Sequence, residues 1–213
     1  MSCSLLFVRH GQSMGNFSRS FLGHTDLDLS ELGFQQAEAV GKFLFQFRID
    51  KIFSSDLKRA YQTALPFANM KNLSIIKSEA LREIYAGEWE GMPFSAIAEK
   101  YKEAYDIWIN DIGHAIPNGG EPVVDVQKRI IDAVTQIALN NDGKTIAVFT
   151  HATVIRTFFA FIEGKSIDEM KYLPWPTNAS VSEVYFDGKS FKEVYYSLDD
   201  YLGELVSKMP KGV

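Results

Sequence analysis

Cysteine is nearly missing from this chain: Cys3 is the single one. A lone thiol cannot close an internal disulfide, and Cys3 lacks the neighbours of a metal or redox site, so a reducing, cytoplasmic setting is expected. Long apolar runs are missing too. None approaches the roughly 20 residues that span a bilayer. The N-terminal run has no basic region before it and ends at Arg9, too short for a signal peptide. No membrane partner is therefore expected. An excess of basic residues is also lacking: 22 Lys and Arg stand against 27 Asp and Glu, a formal net charge of −5. That removes the electrostatic footprint of a general nucleic-acid binder. An acidic chain can still hold an anion, but only where its arginines gather locally. There are no internal repeats and no low-complexity segments.

What is present is an ordinary globular balance, with 46% apolar, 23% charged and 13% aromatic residues in 213. That length suits a single domain, 1–213, with a buried core. Segment 4–8 is a short apolar run ending in Arg9-His10-Gly11, the pattern of a buried strand followed by a loop. Ser30 is a plausible cap for a helix whose apolar stripe is Leu32, Ala39, Val40, Phe43 and Leu44. A second strand is expected at 51–54. Ser55 or Asp56 should cap a helix running towards Leu65, with Pro66 kinking or breaking it, and a third strand should occupy 73–76. Glycines and prolines from 79 to 143 mark a lid-like excursion around helices near 94–105 and 123–139. A buried strand at 145–150, a helix at 153–162, and a hairpin around Asp187-Gly188 complete the chain. Strands alternating with helices imply an α/β three-layer sandwich: a mostly parallel sheet, helices on both faces and a helical lid insertion. Ligands bind at the C-terminal ends of such strands, where His10 and His151 both fall.

Those positions carry the chemistry. A neutral imidazole whose other nitrogen is held by a hydrogen bond can attack phosphorus, and the neighbouring Arg9 offers a planar fork to phosphate oxygens. Arg59 starts the helix after the second strand, at the same sheet edge. Asn16 can add an amide donor. His151 can sit opposite His10. Glu83, partly covered by Tyr85 and Trp89, is the candidate proton donor to a departing alkoxide, with a pKa raised by that cover. Glu88 and Glu90 are rival acids read as surface charges, and His24 and His114 as loop histidines. No His-Glu-x-x-His or comparable spacing suggests a metal ligand set.

Taken together these segments resemble the histidine phosphatase superfamily, also called phosphoglycerate mutase-like. The matching stretches are Arg9-His10-Gly11-Gln12-Ser13 with Asn16, Asp26 to Ala37 around Leu29-Ser30 and Gly33, Ser55-Asp56-Leu57-Lys58-Arg59-Ala60-Tyr61-Gln62-Thr63-Ala64, Leu81 to Gly91, and Thr150-His151-Ala152-Thr153. Gln12 stands where Glu is usual, and Ala152 and Thr153 replace glycines. The resemblance implies that His10 is phosphorylated, that Arg9, Arg59, His151 and Asn16 hold the phosphoryl group, and that Glu83 handles the proton. Gly23 and Ala152 join Asn16 as expected substrate-binding positions. It implies a hydrolase of phosphate monoesters that uses neither metal nor cofactor and acts on a small phosphorylated metabolite. The stretch after Gly91 has Lys100 and Lys102 but no Arg-Arg pair, which favours phosphatase over a bisphosphoglycerate-dependent mutase. A catalytically silent phosphate-binding member is the third alternative, and a homodimer stays open. Segment 92–121, with Phe94, Tyr101, Tyr105, Trp108 and Ile116, leans towards a substrate with an apolar body.

Overall fold

The computed structural model describes residues 2–207. In chain order the elements are β1 (Cys3–Arg9), α1 (Met14–Ser18), α2 (Glu31–Leu44), β2 (Lys51–Ser54), α3 (Lys58–Lys71), β3 (Ile75–Lys77), α4 (Phe94–Lys100), α5 (Lys102–Asn110), α6 (Val123–Leu139), β4 (Thr145–Thr150), α7 (Ala152–Ile162), β5 (Val181–Phe186) and β6 (Phe191–Leu198). The six strands form one sheet in the order β3-β2-β4-β1-β5-β6. The first four run parallel, and β5 and β6 are antiparallel additions at one edge.

Strand β1 is buried on both sides, which is why it reads as an unbroken apolar run instead of an alternating one. Leu5 and Phe7 face a core shared with Val126, Ile130 and Val134 of α6 and Ile155, Phe158 and Phe159 of α7. Leu6 and Val8 face a second core with Val40 and Leu44 of α2 and Ala64 and Phe67 of α3. The sheet is thus covered on both faces, and α6 belongs to that cover; it is not part of a lid. The register does the rest. Arg9 pairs with Thr150, so His10 and His151 follow at matching positions on adjacent parallel strands.

Four local expectations are corrected. In α2 the buried face is Gly33, Gln36, Ala37, Val40, Gly41 and Leu44. Leu32 and Phe43 are only half-buried, and α3 packs on Gly41, where a Cβ would meet Met70 Cε at 2.7 Å and Phe67 N at 3.2 Å. Helix α3 continues through Pro66 to Lys71, because packing of Ala64, Phe67 and Ala68 outweighs the roughly 3 kcal/mol an interior proline costs. The first turn of α3 has no side-chain cap of its own. Asp26 Oδ1 accepts from Lys58 N–H at 2.7 Å, and Ser55 Oγ accepts from Leu57 N–H at 3.3 Å. The helix expected at 94–105 is two helices, broken at Tyr101 (φ −124°, ψ 44°).

Candidate active site

Both central parallel strands deliver a histidine to the same edge of the sheet, and the two imidazole centroids lie 5.2 Å apart. His10 Nδ1 is 2.7 Å from Gly11 O. A carbonyl only accepts, so Nδ1 carries the proton and Nε2 keeps its lone pair. Gly11 itself is pressed on Gly33: a Cβ there would meet the Gly33 carbonyl oxygen at 2.6 Å. Its N–H donates to Thr63 Oγ1 at 3.0 Å. Burial, then the positive charges of Arg59 and Arg9, hold the His10 pKa well below its ordinary value. His10 is therefore neutral near pH 7, the form a nucleophile needs.

His151 caps α7 and is fully buried. Its Nε2 lies 2.8 Å from Ser55 Oγ. Ser55 Oγ already accepts from Leu57 N–H, so its own proton can go to Nε2, leaving the ring proton on Nδ1. That Nδ1 is buried with no partner among the described residues, a donor left over for a ligand. Burial, then Arg59 and His10, push the His151 pKa well down as well.

Two buried guanidiniums complete the base of the site. Arg9 donates to Pro176 O. Arg59 donates to Thr25 O at 3.1 Å and to Gly23 O at 2.7 Å. Burial lowers both pKa values to about 10, against the pull of the Glu83 carboxylate, so both stay cationic. Gly23 has φ +51°, and a Cβ there would lie 2.2 Å from Glu90 Oε1. Only glycine lets that loop present its carbonyl to Arg59. Asn16 Oδ1 accepts from Ser13 N–H (3.1 Å), Ser13 O–H (3.0 Å) and Asn178 Nδ2 (3.2 Å). With its oxygen so occupied, its amide N–H groups remain for the pocket.

Glu83 lines the same pocket. Its Oε1 accepts from Ile84 N–H at 2.9 Å, and its Oε2 from Thr153 N–H at 3.3 Å. The first turn of α7, where Ala152 also sits, has N–H groups without intrahelical partners and suits a carboxylate. The expected cover is corrected. Trp89 is buried among Phe21, Tyr105 and Trp108, and Tyr85 is largely exposed beside His24. The neighbours of Glu83 are main-chain donors instead.

The pocket is a half-open cleft whose empty space, solvent at its mouth included, is about 560 Å³. Arg9, His10, Asn16, Gly23, Arg59, Glu83 and Ala152 all line it; His151 does not, being fully buried with its ring beside that of His10. One wall is aromatic: Phe21, Phe94, Trp108 and Trp175. Of the lid aromatics expected there, Tyr101 and Tyr105 pack on Trp89, and Ile116 is exposed. Gln12 does not line the pocket; its Oε1 accepts from Ser30 O–H at 2.7 Å.

Glu90 is more than a surface charge. Its Oε1 accepts from His24 N–H (2.7 Å) and Ala86 N–H (3.0 Å), its Oε2 from Thr25 N–H and O–H (both 2.6 Å). It ties the loop that holds Arg59 to the segment that bears Glu83. His24 adds to the same tie through Nε2, 2.9 Å from Glu83 O. Ser55, Thr63, Thr153, Phe21 and Trp175 are further site neighbours not expected from the sequence. Ser55 and Thr63 do lie inside the Arg59 motif, which was the available signal. Among the described residues one group has the spacing of metal ligands, Asp111, His114 and Asp168, and none of the three lines this pocket.

The model of the histidine phosphatase superfamily (branch 1) matches residues 5–199. The chain belongs to the histidine phosphatase superfamily. It is 30% identical over 210 residues to phosphoserine phosphatase 1 of Hydrogenobacter thermophilus, covering 98% of this chain and 99% of that protein. Among solved structures it resembles Bacillus stearothermophilus YhfR, with a TM-score of 0.90, 30% identity, and coverage of 94% and 99% of the two chains. It also resembles the mycobacterial glucosyl-3-phosphoglycerate phosphatase complexed with VO3, with a TM-score of 0.85, 27% identity, and coverage of 92% and 99%. As a histidine phosphatase, the chain has the three-layer α/β architecture of these relatives, and none of its helices among the described residues is long and apolar enough to cross a membrane.

Proposed function

We propose that this histidine phosphatase hydrolyses a small phosphate monoester through a phosphohistidine at His10, without a metal ion. The observation that carries the reading is His10 itself: a buried, neutral imidazole with its proton on Nδ1 and its Nε2 free, in one pocket with two buried guanidiniums. In the first step Nε2 bonds to phosphorus as the ester oxygen departs, and Glu83 gives that oxygen its proton. Arg9, Arg59, the Asn16 amide and His151 Nδ1–H meet the charge on the transferring group. In the second step water attacks the phosphohistidine, Glu83 takes the water proton, and phosphate leaves with His10 restored. The relatives named for phosphoserine and glucosyl-3-phosphoglycerate support a small phosphorylated metabolite as substrate. The aromatic wall of Phe21, Phe94, Trp108 and Trp175 supports one with an apolar portion next to the phosphate. A single cysteine, with no internal disulfide to form, supports the cytoplasm as its setting.

A panel of phosphate monoesters assayed with EDTA present tests this reading. Release of inorganic phosphate is expected, and its loss in His10→Ala. Activity that EDTA abolishes and a divalent metal restores would contradict it. With 3-phosphoglycerate and its bisphosphate, phosphate should appear faster than 2-phosphoglycerate; the reverse would make the enzyme a mutase.

A further inference from the structure

Three arginines are buried among the described residues: Arg9, Arg59 and Arg156. The first two face the active-site pocket and are offset by Glu83. Arg156, on α7, has no such offset. Burial depresses its pKa to about 10, and the group acting against that is the Tyr196 hydroxyl, not a carboxylate. Its residue exposure is 5%. Nη2 donates to Met170 O (3.2 Å) and Lys171 O (3.1 Å), and the guanidinium lies 4.3 Å from the centre of the Trp175 ring. Pinning that turn uses Nη2 alone. Nε is buried without a partner, and Nη1 is engaged by none of the described residues.

Beside this guanidinium is a second pocket of about 500 Å³, lined by Arg156, Lys171, Tyr172, Ile109, Trp108 and Trp175. The two tryptophans are stacked, with centroids 5.9 Å apart and planes at 28°, and both also line the His10 pocket. The pockets therefore share an aromatic partition. Trp175 precedes Pro176, whose carbonyl holds Arg9. A buried cation without a counter-charge is costly, and a planar fork with free N–H groups matches an oxyanion. Lys171, exposed at the rim, adds a second positive charge.

We propose that the Arg156–Lys171 pocket is an oxyanion subsite, taking a carboxylate or phosphate group on the far side of the Trp108–Trp175 partition from His10. The anion is either the distal group of the substrate, which rests on the hydrolase reading, or a separate small metabolite, which does not. Two arms distinguish them, each run on the wild type, Arg156→Gln and Lys171→Glu. The first follows tryptophan fluorescence during a succinate titration without inorganic phosphate, which the subsite itself would take; both variants leave the His10 pocket lining intact, so they separate the two sites. The second compares kcat/KM for 4-carboxyphenyl phosphate and phenyl phosphate. Saturable succinate binding that weakens about tenfold or more in the variants assigns a separate anion, a change equivalent to about 1.4 kcal/mol. A preference of about tenfold for the carboxylated ester, lost in the variants, assigns the substrate's own group. Absence of both signals in the wild type, or their persistence in the variants, overturns the proposal. Arg156→Gln also removes the ties to residues 170 and 171 and can unfold the chain; Lys171→Glu keeps those ties and decides alone in that event. Failure to hydrolyse either ester counts against the hydrolase reading and leaves the succinate arm to decide the subsite.

Discussion

Replacing Glu90 by Gln keeps the size and shape of the side chain, yet should damage both the stability and the activity of this enzyme. The carboxylate accepts four donors, two on each oxygen, and three of them are main-chain N–H groups that cannot turn away. An amide has one acceptor oxygen. Whichever way it is turned, its NH2 confronts at least one fixed N–H. If the oxygen stays with His24 and Ala86, the two bonds from Thr25 are lost. Hydrogen bonds to charged groups contribute about 1.5–3 kcal/mol each, and the low end applies to this half-buried site, so the loss is about 3 kcal/mol. In a chain of this size that lowers Tm by roughly 6–12 °C. Freeing Thr25 and Gly23 also loosens the two carbonyls that hold Arg59. A misplacement of about 1 Å at such a group lowers kcat/KM on the order of 10²-fold. The assay is thermal denaturation together with kcat/KM on p-nitrophenyl phosphate, with Glu88→Gln as the exposed control, expected within about 0.5 kcal/mol of wild type. A Glu90→Gln enzyme within about twofold of wild type in kcat/KM and about 2 °C in Tm would refute the reasoning, since the carboxylate would then not be what holds the loop.

The buried histidines set a pH dependence of stability. His10 and His151 stay neutral in the folded enzyme well below their ordinary pKa, while the unfolded chain takes up protons near pH 6.5. Folding is thus favoured at and above about pH 6.5 and weakens as pH falls below it, by up to about 1.4 kcal/mol per pH unit per histidine. Urea titrations between pH 7 and 5 should show this slope, and a slope unchanged in His10→Gln would contradict it. Glu83→Gln should slow alkyl phosphates on the order of 10²-fold or more, but p-nitrophenyl phosphate, whose leaving group needs no proton, far less in the first step. Equal losses for both in single-turnover formation of the phosphoenzyme would argue against the acid role.

Much of the frame was legible because apolar pattern and burial coincide. β1, β4 and α6 are long, periodic or continuous, and α6 lies where the spacing predicts it, Val123–Leu139. The face of α2 was read correctly at Val40 and Leu44 and missed at Gly33, Gln36, Ala37 and Gly41, because small or polar residues give no apolar signal although they are buried. Of the two outcomes expected at Pro66, a break in α3 does not occur, because proline's local penalty is overridden by packing that lies outside the segment. In the site, His10, Arg9, Arg59, Glu83 and His151 are visible as side chains that carry chemistry in distinctive motifs. Their supports are not. Arg9 and Arg59 are held by the carbonyls of Pro176, Gly23 and Thr25, and any residue type supplies a carbonyl. Trp175 reaches the pocket from a loop far along the chain from Phe21 and Trp108, so no local spacing announces the wall.

Everything proposed for this enzyme turns on the passage of the phosphoryl group through His10. The direct measurement is rapid mixing of enzyme with a 32P-labelled phosphate ester, quenching in alkali, where phosphohistidine survives, and mass spectrometry of the labelled peptide. Up to one phosphate per chain should appear on the peptide that contains His10, formed and lost fast enough to sustain turnover, and absent in His10→Ala. Steady turnover with no labelled His10, or label that persists in His10→Ala, would contradict it.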